Sequence, residues 1–155
     1  MIDEFEGLEQ EEIDILLKAP VLVCILIAGA DDNIDKSEFR EAVNLAQIKQ
    51  RKARRSLLNY YAEVGKDFED KMKILINNLP VKAQERNIEI VKELEQLNKV
   101  FPKVGKKFGR DLYSSLRDMA KKIAEASGGI LGYMSVGYEE SKYIELKMIK
   151  DPHKQ

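Results

Sequence analysis

Tryptophan is absent from the 155-residue chain, and cysteine and histidine occur once each, as Cys24 and His153. A single cysteine excludes an intramolecular disulfide and every multi-cysteine zinc arrangement, and a single histidine excludes a His-pair metal site. Nine glycines and four prolines are few for an all-β chain, which needs turns throughout. Neither charge sign dominates: 26 basic and 27 acidic side chains leave a formal net charge of −1. That removes the strongest argument for a nucleic-acid binder, a domain-wide surplus of Lys and Arg. The most apolar run, Ala19 to Ala30, is twelve residues bounded by Lys18 and Asp31-Asp32. A membrane span needs ~20. The first residues, MIDEFEGLEQEEIDI, are acidic, the wrong sign for a secretory leader. With a free thiol and no leader, the reducing cytoplasm is the expected location.

What is present points to one helical domain. Hydrophobic residues make up 44% and charged residues 34% of the chain, so a real core is available, and no Pro/Gly/Ser-rich linker divides 1–155. Leu8, Ile13, Leu16 and Leu17 give a first helix its apolar face, with acids in its opening turns where the helix dipole favours them. Pro20 suits the first position of a new helix, so residues 20–30 are expected as a second one, buried on every side because it is apolar all round. Helical spacing then continues through Phe39, Ala42, Val43 and Ala46, and through Leu57, Leu58 and Tyr61 to a break at Gly65. It resumes from Phe68 to Leu79, where Pro80 ends it. From Lys82 to Leu97, Ile88, Val91, Leu94 and Leu97 form one stripe. A long final helix opens near Pro102 and stops at Gly128-Gly129. A short helix over 138–144 and a polar tail with a mobile His153 complete an all-α fold of about seven helices.

The sharpest local feature is the loop from Asp31 to Glu38. Asp31, Asp32, Asn33, Asp35 and Glu38 place five oxygen-bearing side chains within eight residues. Hard cations such as Ca²⁺ want six to eight oxygens, so this composition is a candidate metal site. The D-x-N-x-D spacing copies the first half of an EF-hand loop, but Lys36 stands where that loop needs glycine and Ala42 where it needs its bidentate glutamate. A second reading competes: Asp35 with Glu38 three residues on has the pattern of a capping box, and Asp31 to Asn33 that of a turn.

A basic run follows. Lys49, Arg51, Lys52, Arg54 and Arg55 are five cations in seven residues, either a solvated helix face or a surface for an acidic protein partner or a membrane. The neutral domain around it gives no case for nucleic acid. Gly128-Gly129-Ile130-Leu131-Gly132 begins at a helix end and lacks the Lys-Ser/Thr pair of a nucleotide loop. Cys24 sits among apolar neighbours as a small hydrophobe. No catalytic constellation emerges, so no enzymatic activity is expected.

Two segments match: Ile27 to Ile34 and Ile123 to Ile130 share I-A-x-A-[DS]-x-x-I, and each leads to an acidic helix start, Asp35 to Glu38 and Glu139-Glu140. The pairing implies a pseudo-twofold helix–acidic loop–helix arrangement. These residues resemble the tellurite-resistance TerB family, whose hallmark is an alanine-rich helix ending in A-D-G-x-[IV]-x-x-x-E. Ala30, Asp31, Ile34 and Glu38 match it; Asp32 replaces the glycine, and Ser127 replaces the second-copy aspartate. The resemblance covers about 13–48 and 116–147, leaving 50–110 as a helical middle. It implies a cytoplasmic bacterial domain linked to stress responses. It also implies a divalent cation held by Asp31, Asp35 and Glu38, with Glu139 and Glu140 as the second-copy counterparts; the oxygen donors themselves favour Ca²⁺ before Zn²⁺.

Overall fold

The computed structural model describes residues 2–29, 34, 36–128 and 143–154, with the backbone alone at 126–128. Among them are seven α-helices and no strand: α1 (Gln10–Ala28), α2 (Lys36–Lys52), α3 (Leu58–Gly65), α4 (Phe68–Asn78), α5 (Ala83–Glu95), α6 (Leu97–Val100) and α7 (Lys106–Gly128). Short 3-10 turns at Asp3–Phe5, Arg55–Leu57, Phe101–Lys103 and Pro152–Lys154 join or flank them. The fold is all-α.

The centre of the fold is α1, whose side chains from Ala19 to Ala28 are all buried. A helix apolar on every face can only be satisfied by neighbours on every face, and α7, α5, α4 and α3 supply them. Its start is closed by the Glu9 N–H donating to Glu12 Oε1 at 2.9 Å. The two helices expected to meet at Pro20 are one continuous helix. Proline lacks the N–H that would bond the carbonyl four residues back, here that of Leu16, and the Tyr60 hydroxyl from α3 donates to that oxygen instead. Tyr60 is itself fully buried, edge-on to the rings of Tyr61 and Phe108 at 5.1 and 5.6 Å.

Side-chain links give the helix directions. Along α5, Glu93 meets Lys18 at 2.9 Å and Arg86 meets the Gly29 carbonyl at 2.5 Å, so α5 runs opposite to α1. Lys103, just before α7, pairs with Glu12 at 2.6 Å, and Tyr60 spans from Leu16 to Phe108, so α7 runs alongside α1 in the same sense. The pairs Lys49–Asp118 at 3.1 Å and Arg54–Asp111 at 2.9 Å make α2 antiparallel to α7. The alike helices α1 and α7 therefore lie side by side, while the loops 30–33 and 129–142 that complete the sequence repeat lie outside the described residues.

Two local expectations change. On α5 the buried face is Ala83, Asn87, Ile90 and Leu94, whereas Ile88 is 55% exposed. At about 100° per residue, Ile88 stands roughly 160° round the helix from Ile90, and packing against α1 chose the Ile90 face. The segment after 144 is not a free polar tail: Leu146 and Ile149 are buried. The Asn98 side chain donates to the Met148 carbonyl at 2.9 Å and accepts from the Lys150 N–H at 2.7 Å. Exposed His153 has Nδ1 2.8 Å from Asp151 Oδ1 and its ring 6.2 Å from that of Tyr113. The helix expected over 138–144 lies largely outside the described residues. No helix among them is long and apolar enough to cross a membrane.

Candidate functional site

Six of the seven acidic-site candidates, Asp31, Asp32, Asn33, Asp35, Glu139 and Glu140, lie outside the described residues. The structure does define both ends of the first loop. Gly29 closes α1 with φ −96° and ψ 25°, its N–H donating to Ile25 O at 2.7 Å. Here glycine answers a close approach rather than an unusual φ, since an added Cβ would stand 2.6 Å from Arg86 Nη2 and 2.8 Å from Ile25 O. Arg86 is 4% exposed and also donates to the Val81 carbonyl at 3.0 Å. Its guanidinium sits at the C-terminal end of α1, where the helix dipole favours a cation.

At the other end of the loop α2 opens at Lys36, which puts Glu38 in the third helical position, and Glu38 is only 6% exposed. A buried carboxylate must be matched by donors or a cation. The same position is the one a capping box demands of a residue three beyond Asp35, so both readings of the loop fit the register. Among the described residues no three His, Cys, Asp or Glu side chains gather closely enough to hold a metal ion.

The basic segment is fully described and divides into two groups. Lys49 is held: its ammonium bonds Asp118, lies 5.8 Å from the centre of the Tyr61 ring, and is 14% exposed. Arg54 is tied to Asp111 through Nη1 while the rest of its side chain remains exposed. Arg51, Lys52 and Arg55 are exposed and form no ion pair among the described residues. The end of α2 and α7 border a cleft of about 350 Å³, with Lys49, Lys52 and Arg54 on one wall and Asp111, Ser114 and Asp118 on the other.

The two carboxylates of that cleft are ionised anchors. Burial pushes the Asp111 carboxyl up, but bonds from Ser56 Oγ at 2.5 Å, Lys107 at 3.1 Å and Arg54 outweigh it and hold it below the usual carboxylate range. Asp118 follows the same pattern: burial raises it, and Lys49 with Lys122 brings it lower on balance. Neighbouring Ser115 shares a 2.6 Å hydrogen bond with the Tyr61 hydroxyl. Sequence reading missed Asp111, Ser114 and Asp118 because they lie on α7, far along the chain. Their i, i+3, i+7 spacing on a single helix face was the available signal. Cys24 is an inert thiol, fully buried and pushed up to about 12 by that burial.

The chain matches no protein-family model, no curated protein and no solved structure.

Proposed function

We propose that the chain is a non-enzymatic, TerB-like helical domain that binds a divalent cation through the Asp31–Glu38 loop, Ca²⁺ before Zn²⁺, and serves a response to tellurite or another stress in the cytoplasm. The observation that supports this reading most is the frame of the loop. Arg86 pins the carbonyl of Gly29 where the loop begins, and buried Glu38 marks where it ends. A segment rich in carboxylates is thus strung between two anchored helix ends, which lowers the ordering cost of bringing its oxygens together. With one histidine and a buried cysteine, donors are oxygens, the set hard cations prefer. The Arg86 charge at the root of the loop opposes a cation, so affinity belongs near the weak end of protein Ca²⁺ sites, about 10⁻⁴–10⁻³ M. Calorimetric titration with Ca²⁺, Mg²⁺ and Zn²⁺ tests this. Saturable Ca²⁺ heat in the wild type, lost in Asp31→Ala, is the expected result; no heat at millimolar metal leaves the loop as turn and cap.

A second reading is favoured by Arg51, Lys52 and Arg55, which are exposed and form no ion pair among the described residues: a surface for an acidic protein partner or, peripherally, a membrane. Reversing Arg51 and Arg55 to Glu is the clean test, because reversing Arg54 would set a second carboxylate against Asp111. Partner capture that survives the double reversal counts against this surface.

A further inference from the structure

We propose that the cleft between the end of α2 and α7 binds a phosphoryl group, as orthophosphate or a phosphomonoester; this deepens the second reading above. Three cations line the cleft, Lys49, Lys52 and Arg54, and the two carboxylates on its other wall are also paired with Lys107 and Lys122. Counting those two partners, five positive charges are set against the two carboxylates, three of them on the cleft itself. Asp111 is engaged through both oxygens, by Arg54 on one and by Ser56 and Lys107 on the other, and Asp118 receives Lys49 and Lys122 on Oδ2. What they do is hold Lys49 and Arg54 in place before a ligand arrives, which removes most of the ordering cost of binding.

Donors remain for that ligand. The Lys52 ammonium and the Ser114 hydroxyl make no hydrogen bond among the described residues, and Arg54 spends one nitrogen of its guanidinium on Asp111. A phosphoryl dianion carries the charge and the several acceptor oxygens that match a surplus of cations and a fork of N–H donors. A lone carboxylate brings half that charge and fewer acceptors. The volume of about 350 Å³ suits a small molecule, at the low end of the range for ligand pockets. A concave site walled by aspartates on one side accepts a single anionic group more readily than a flat polyanion.

The full chain titrated with inorganic phosphate at low salt, followed by ³¹P NMR, tests the proposal. Saturable binding is expected, weakened about tenfold by Lys52→Ala combined with Ser114→Ala, since charge-assisted bonds are the strong ones. Both residues are on the surface of the cleft, and unchanged helical circular dichroism verifies folding. Glycerol 3-phosphate competing for the site identifies a soluble ligand; capture only by vesicles containing phosphatidic acid identifies a lipid headgroup, and either supports phosphoryl recognition. Absence of phosphate and vesicle binding, or binding indifferent to the double substitution, overturns it. Loss of acidic-partner capture in the Arg51/Arg55 reversal without any phosphoryl binding would leave the second reading standing and this proposal refuted.

Discussion

The Tyr60 hydroxyl donates to the main-chain oxygen of Leu16, the one carbonyl that Pro20 strips of its helical partner. The two residues are 44 positions apart, yet this contact explains how a proline sits in the middle of the central helix. Without it, a buried acceptor would be left unsatisfied, which costs ~1–3 kcal/mol.

Tyr60→Phe is therefore expected to destabilise the protein by about 1–3 kcal/mol. Pro20→Ala restores the missing N–H, so the cost of Tyr60→Phe should shrink by at least ~0.5 kcal/mol in that background, a coupling typical of contacting residues. Urea unfolding of the four proteins in the cycle measures it. Strictly additive effects would show that the hydroxyl and the proline are unrelated.

Arg86 closes the far end of the same helix. Arg86→Met removes charge-assisted bonds to two buried carbonyls and should cost about 2–4 kcal/mol, a fall in Tm of roughly 4–16 °C at 2–4 °C per kcal/mol. Gly29→Ala should cost about 1–3 kcal/mol by overpacking, and part of that must persist without Arg86, because Ile25 O remains 2.8 Å from the new methyl. Thermal unfolding followed by circular dichroism reads both. An unchanged Tm in Gly29→Ala would contradict the close approach.

Asp111 gives the protein an acid-sensitive clasp. Its carboxyl is held below the ordinary value of about 3.9, so its stabilisation is complete above that pH and is lost as pH falls through its lower folded-state value. Asp111→Asn is expected to unfold at lower urea near neutrality, by about 1–3 kcal/mol, and to lose less than the wild type between pH 4 and 2. Urea midpoints across that window decide it. Parallel profiles for the two proteins would mean that Asp111 contributes no pH dependence.

Much of the helical layout is legible in the residues. Pro80 and Gly128 end helices where proline cannot continue one and glycine commonly stops one, and the run from Pro20 to Ala28 is buried because nothing polar interrupts it. The α5 stripe was half legible: Leu94 and Leu97 are in the core, but Ile88 and Ile90 are equally apolar, and only the contact with α1 selects between them. The basic segment was visible as five cations, though not its division into Lys49 and Arg54, held by α7, and Arg51, Lys52 and Arg55, left over.

By itself, then, the sequence determined an all-α chain, an apolar central helix, the absence of any His-pair or multi-cysteine metal site, and the place of the basic run. Each of these is local, written in periodicity or in which side chains exist at all. Tertiary structure alone decided that Pro20 does not break α1, that Ile90 rather than Ile88 is inside, that the C-terminal segment is anchored by Leu146 and Ile149, and which cations are spent on Asp111 and Asp118. Those outcomes depend on groups tens of residues apart meeting in space. A short-range pattern carries no record of which distant donor will satisfy a buried acceptor.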